Sequence, residues 1–197
     1  MIKQDLINFE MKVADLFEEK KIKGVVHLSG GNEDNLLEIF TKVNTEDWVF
    51  GTWRSHYHAL LKGIPPELIL NAILEGKSIS LCFPEYKFYC SGILCGTLPI
   101  ATGVAMAIKR RSLLNHVWVF LGDAAAELGS FYECVKFSEG HDLPITFIIE
   151  DNGVCVGEPT LRPWGKEVPT KWESTKVLHY KYELIYPHIG TNKWVNF

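Results

Sequence analysis

Residues 116–159 read HVWVFLGDAAAELGSFYECVKFSEGHDLPITFIIEDNGVCVGEP. Two apolar runs, His116 to Leu121 and Pro144 to Ile149, close on Gly122-Asp123 and on Glu150-Asp151-Asn152-Gly153, and so predict two buried strands. Between them Leu128, Phe131, Tyr132, Val135 and Phe137 recur near helical spacing, which predicts one connecting helix. Strands joined by a crossover helix run parallel with a right-handed connection. That geometry brings Asp123 and Asn152 to the same edge of a sheet. A carboxylate past one strand tip and an amide past the next are hard oxygen donors suited to Mg²⁺ or Ca²⁺, with phosphate and water completing the shell. The small side chains of Ala124, Ala125 and Ala126 let phosphate oxygens reach backbone N–H groups where the helix starts, and its dipole favours an anion there. The plain alternative is an ordinary strand–helix–strand unit in which Asp123 only caps the helix.

Outward from this unit, residues 3–20 carry Leu6, Phe9, Val13, Leu16 and Phe17 at helical spacing, an amphipathic packing helix. Trp48 to Phe50 reads as the end of a strand, and a helix runs from there toward Gly63 and Pro65-Pro66. A short helix is expected over 66–76, an irregular region over 77–92, and a helix over 98–111 rich in Ala101, Gly103, Ala105 and Ala107. Residues 157–172 are expected to loop, and 177–185 to form a last strand. Alternating strands and helices predict an α/β fold, a mostly parallel sheet with helices on both faces. The 197 residues fit a single domain. A net charge of −4, with both signs mixed, offers no stripe for nucleic acid or a membrane. The start, MIKQDLINFEMKV, lacks the apolar core of a signal peptide, so the cytoplasm is the expected compartment. Cys82, Cys90, Cys95, Cys134 and Cys155 are odd in number and form no CxxC pair, against a disulfide framework or a zinc site.

Gly122-Asp123, the small residues after it, and Asn152 twenty-nine positions beyond the aspartate resemble the thiamine-diphosphate motif of 2-oxoacid dehydrogenase alpha subunits, the pyruvate and acetoin dehydrogenase alpha-like chains. FYE at 131–133, LPITFIIEDN at 143–152, SGILCGTLPIATGVAMAIKRR at 91–111, His27-Leu28 with Gly31-Asn32-Glu33, and WRSHYH at 53–58 resemble the same family. The resemblance implies a thiamine-diphosphate-binding fold. It makes Asp123, the Asn152 side chain and the Val154 carbonyl ligands of Mg²⁺, and Ala124 and Ala125 donors of N–H to the diphosphate. His27, Trp53 and Arg54 would meet the cofactor tail, Arg54 because a planar guanidinium can donate two parallel hydrogen bonds to phosphate. Backbone of Gly92 and Leu94 would face the aminopyrimidine, with the Leu94 side chain as the wedge that folds the cofactor. His56 and His58 would stand over the reacting carbon as catalytic groups.

The chain departs from the family pattern at Ala124, where Gly is usual and a methyl fits only at negative φ, and at 77–92, where a Gly-Ser-Met-His loop is missing. In the family the carboxylate that activates the aminopyrimidine comes from a separate domain, so a beta-type pyrimidine-binding subunit is the expected partner, in a hetero- or homo-oligomer. The implied function is the Mg²⁺-dependent thiamine-diphosphate-binding subunit of a 2-oxo acid decarboxylating dehydrogenase or transketolase-like enzyme acting on small molecules. The alternative is a non-catalytic cofactor-binding or regulatory module of the same fold. A Mg²⁺-dependent phosphohydrolase built on Asp123 is disfavoured, because no second acidic residue sits at that strand end in a recognisable motif.

Overall fold

A computed structural model describes residues 1–166 and 172–196. Leu6, Phe9, Val13 and Phe17 form the buried face of α1 (Lys3–Glu18), as their spacing requires. After a turn through Gly30 and Gly31 come α2 (Glu33–Phe40), β1 (Trp48–Gly51), α3 (His56–Leu61) and α4 (Pro66–Leu74). Pro66 opens α4, where its missing N–H would have had no helical partner. The chain continues through β2 (Cys82–Phe83), β3 (Phe88–Cys90), α5 (Thr97–Arg110) and β4 (Val117–Gly122). It then forms α6 (Asp123–Ala126), α7 (Gly129–Gly140) and β5 (Ile145–Asp151). A small hairpin of β6 (Val154–Cys155) and β7 (Glu158–Pro159) precedes α8 (Leu161–Trp164), and β8 (Val177–Lys181) is the last strand.

The main sheet has the order β2-β3-β1-β4-β5-β8, with only β2 antiparallel to its neighbour. Alternate side chains of β4 serve opposite cores. Val117, Val119 and Leu121 pack with α5 and α7, whereas Trp118 and Phe120 join the cluster built by α1 to α4. Burying both faces explains why the strands read as continuous apolar runs. Phe131 of α7 lies edge-on to Phe147 of β5 at 5.8 Å, and a buried ring of this kind contributes roughly 1.5–3 kcal/mol.

From β1 the chain moves to β3 on one side and returns through α5 to β4 on the other. The switch therefore falls between β1 and β4, and open α/β sheets bind ligands beyond the carboxyl ends of the strands at such a point. Gly122 pairs with Glu150, so Asp123 and Asn152 emerge from adjoining strands at nearly one level.

The expected fold class is the observed one, with differences in detail. The single helix expected after Asp123 is two, broken where Leu128 turns extended (φ −84°, ψ 143°). One straight helix could not keep Ala124, Ala125 and Ala126 buried at the strand tip and also lay Phe131 across Phe147 and Trp172. The region 77–92, expected to be irregular, contains β2 and β3. β3 is a buried neighbour of β1, too short to show periodicity and preceded by a left-handed Lys87. The last strand stops at Lys181 rather than Ile185, since Tyr182 turns toward the strand tips. Of the loop expected over 157–172, β7 and α8 take part, and residues 167–171 lie outside the described residues.

Past β8 a tail folds back over the turn at residues 26–31. The Gly190 N–H donates to the Val26 carbonyl at 2.9 Å, and Tyr186 packs on the core of α1 to α4. Gly31 has φ +96°, and a Cβ there would sit 1.9 Å from the Glu183 carbonyl oxygen. Gly31→Ala should therefore lower stability by at least about 1–3 kcal/mol in urea unfolding, and an unchanged midpoint would show that the tail does not press on this turn.

Candidate functional site

A cavity of about 220 Å³ opens where the parallel strands end. β1 runs out into Thr52, Trp53 and Arg54, and β4 into Gly122, Asp123, Ala124 and Ala125. β5 contributes Glu150 and Asn152, the hairpin Val154, Cys155 and Val156, and the turn before α5 Leu94. Tyr182 and His188, from the segment after β8, complete the wall.

Asp123 is buried and starts α6, its carboxylate accepting a hydrogen bond from the Thr160 hydroxyl. Burial raises its pKa above the usual carboxylate range and the nearby Asp151 pushes the same way, while the Thr160 bond pulls against them. The Asn152 Oδ1 accepts the Val154 N–H at 3.0 Å, which curls the chain just beyond β5, and its Nδ2 donates to the Tyr182 hydroxyl at 3.4 Å. Pro159, opposite Val154 in the hairpin, has no N–H to give the Val154 carbonyl. Ala124 lies within α6, and its φ is not positive, so the methyl in place of the usual Gly fits without strain.

Arg54 faces the same cavity, half-buried. One guanidinium nitrogen donates to the Leu28 carbonyl and another to the His188 carbonyl, the latter at 3.2 Å. No carboxylate among the described residues lies within ion-pairing distance of it, although burial works against its charge. A guanidinium has five N–H donors, so several remain to serve a ligand. Beside it the His27 ring packs on Trp53 (5.7 Å) and on His188 (4.7 Å), with Nδ1 2.6 Å from the His188 carbonyl oxygen. Burial pulls the His27 pKa down to about 4, so the ring is neutral.

Asp123, Asn152, Val154, Ala124, Ala125, Trp53, Arg54 and Leu94, all singled out in the sequence, converge on this cavity. His27 stands behind its wall, and Gly92 is not part of its lining. His56 and His58, expected over a reacting carbon, do not line it. His56 is sealed between the Glu10 carboxylate (Nδ1 at 2.9 and 3.1 Å) and the Ser78 hydroxyl (Nε2 at 2.9 Å). His58 points at Glu150 Oε1 from 3.2 Å, and its Nδ1 is buried with no hydrogen-bond partner among the described residues. The two rings sit on a helix whose buried face turns toward the core, which motif spacing alone does not reveal.

Glu150, Thr160, Tyr182 and His188 were not anticipated. Glu150 was visible as an acid at a strand tip. Its Oε1 gathers the Asn32 amide (3.0 Å), the Tyr180 hydroxyl (2.5 Å) and His58, forming the polar floor of the cavity. Tyr182 and His188 carried no local signal, since only the return of the tail places them here.

The chain is thus an α/β protein with a cavity that gathers a carboxylate, an amide and a partly buried guanidinium at the switch point of a doubly wound sheet, where open α/β sheets bind their ligands. The chain belongs to the dehydrogenase E1 component family, whose model matches residues 2–165. It is 32% identical over 174 residues to a chloroplastic pyruvate dehydrogenase E1 component subunit alpha-3 of Oryza sativa subsp. japonica, covering 78% of this chain and 41% of that one. It is 31% identical over 167 residues to the pyruvate dehydrogenase E1 component subunit alpha of Rickettsia bellii, covering 80% of this chain and 51% of that one. The chain spans about half the length, or less, of these curated relatives. Tyr182 and His188 lie beyond the matched stretch. No helix among the described residues is long and apolar enough to cross a membrane.

Proposed function

We propose that this chain is the Mg²⁺-dependent, thiamine-diphosphate-binding subunit of a 2-oxo acid dehydrogenase or related two-carbon transferase, residues 1–197 forming one diphosphate-type domain. The observation that carries the reading is Arg54, a partly buried cation whose guanidinium bonds, among the described residues, only to main-chain carbonyls, facing the same cavity as Asp123, Asn152 and the start of α6. A desolvated charge with no opposite charge within bonding distance is costly even when carbonyls receive it, and a phosphate would supply the counter-charge. The donor set supports the metal. Among the described residues no cluster of His, Cys, Asp and Glu could hold an ion alone, but Asp123, the Asn152 amide oxygen and the Val154 carbonyl are the few hard donors Mg²⁺ takes when phosphate and water supply the rest.

Thiamine diphosphate, when bound, supplies a nucleophilic carbon and an electron sink. The residues of the chain bind and orient. Arg54 and the N–H groups of Ala124 and Ala125 would hold the diphosphate, Leu94 would bear on the cofactor rings, and the Gly92 backbone would lie at the far end. Trp53 and the neutral His27 back the Arg54 wall. Glu150, held by Asn32, His58 and Tyr180, keeps the floor polar and in register. His58 and His56 act here as internal supports rather than as groups at the reacting carbon. A carboxylate for the aminopyrimidine is left to a beta-type partner subunit, with which this chain would form the active oligomer.

Tryptophan fluorescence tests the reading, because Trp53 lines the cavity. Thiamine diphosphate should quench the emission in Mg²⁺ and not in excess chelator. Equal binding with chelator present would remove the metal from the site. Reduction of a dye with a 2-oxo acid, only when a co-purified beta-type chain is added, would establish the partnership.

A further inference from the structure

We infer that Thr160, which follows β7, is the positioning residue of the cation corner: its hydroxyl orients the Asp123 carboxylate while its main chain fixes the loop that carries Asn152 and Val154. The inference rests on the cofactor reading above and concerns a residue outside the cavity lining. The hairpin bearing Val154 has only two paired positions, Val154 with Pro159 and Cys155 with Glu158. Its turn places both Val156 (φ +50°) and Gly157 (φ +89°) in the left-handed region. A ribbon so short is marginal by itself, and a β-branched residue at positive φ adds strain. The hairpin therefore needs an anchor on the body of the domain.

Thr160 supplies that anchor through two groups. Its N–H donates to the Gly153 carbonyl at 2.9 Å, closing the base of the hairpin at the residue between Asn152 and Val154. Its hydroxyl donates to Asp123 Oδ2, 37 positions back in the chain. Thr160 is 4% exposed and Asp123 3%, so the bond is shielded from water. Thr160 also stands immediately before α8, where a threonine hydroxyl ordinarily caps the helix, yet it makes no capping bond. The hydroxyl goes to Asp123 instead. A carboxylate has about four acceptor positions, so this bond orients Asp123 without exhausting it. One residue thus joins the three oxygen donors assigned to the ion: Asp123 through its hydroxyl, and Asn152 and Val154 through the carbonyl between them.

The test is titration of the full chain with Mg²⁺ at a fixed concentration of thiamine diphosphate, read by tryptophan quenching. Thr160→Val keeps the shape and removes the hydroxyl. It should raise the Mg²⁺ concentration for half-maximal quenching about tenfold or more, as losing a group that orients a metal ligand does, and still reach the wild-type plateau at high Mg²⁺. Thr160→Ser keeps the hydroxyl and loses the methyl, and should stay within about threefold of wild type. An unchanged Mg²⁺ requirement in the Val variant overturns the inference. So does a Ser variant as impaired as Val, which assigns the effect to packing, or quenching lost at every Mg²⁺ concentration in the Val variant, which marks a structural role only. If wild type shows no Mg²⁺-dependent quenching, the cofactor reading itself fails; if wild type responds and the Val variant responds equally, only the role of Thr160 does.

Discussion

Asp123→Asn will abolish Mg²⁺-dependent cofactor binding while leaving the unloaded protein as stable as wild type or more so. The carboxylate is buried at the head of α6, and its pKa is raised chiefly by that burial. In the unfolded chain it ionises near its ordinary value of about 3.9, so its contribution is neutral below that pH. As pH rises through the unfolded value toward the raised folded one, the native state must carry a charge in dry surroundings and stability is lost. Asn keeps the shape and removes the charge. The melting-temperature gap between the Asn variant and wild type should therefore open in favour of the variant as pH rises from about 4, then level off. Binding responds in the opposite sense, since the metal would lose its one anionic protein ligand. Partners that merely orient ligands are worth ten- to a hundredfold, so the loss here should be at least about a hundredfold. Wild-type quenching by thiamine diphosphate and Mg²⁺ in the Asn variant would end the case for a metal at this corner.

Glu10→Ala should be among the most damaging single truncations for stability, although Glu10 does not line the cavity. Its carboxylate, 1% exposed, accepts the Ser29 N–H at 2.5 Å and faces His56 Nδ1, and His56 in turn meets Ser78. The group ties α1 to the turn before α2 and to the head of α3. Removing one member of a sealed pair leaves the other polar group uncompensated, at a cost of about 3–5 kcal/mol. Urea unfolding should show this loss for Glu10→Ala, and less for Glu10→Gln, which can still bond to Ser29 and His56. A midpoint unmoved by the Ala change would show that this network contributes little. His56→Ala should likewise appear as lost stability rather than as a changed rate at bound cofactor, which separates a support from a catalyst.

How far the molecule was legible from its residues depended on how local each signal was. The β4 and β5 runs and the α1 stripe were readable because burial on one or both faces imposes a period on consecutive residues. β3 escaped notice, being only three residues long and given its place by pairing with β1. The break at Leu128 escaped as well, because three alanines favour a helix wherever they stand, and only the demand to pack Phe131 on β5 interrupts it.

The site divides along the same line. Asp123 and Asn152 each follow a strand tip directly, so sequence order and the parallel crossover were enough to place them together, whereas Arg54, three residues past β1, was assigned only through the family resemblance. His56 and His58 share the Arg54 segment, yet side-chain direction on α3 sends them into the core, where Glu10, Ser78 and Glu150 receive them. Tyr182 and His188 belong to the cavity because the tail turns back over Gly31. The amino-acid order by itself determined the layered sheet and the charged corner at its switch point, since both arise from periodicity and from neighbours along the chain. Only the tertiary structure decided which histidines line the cavity or its wall and which brace the interior, because that choice is made by contacts between segments 22 to 161 residues apart.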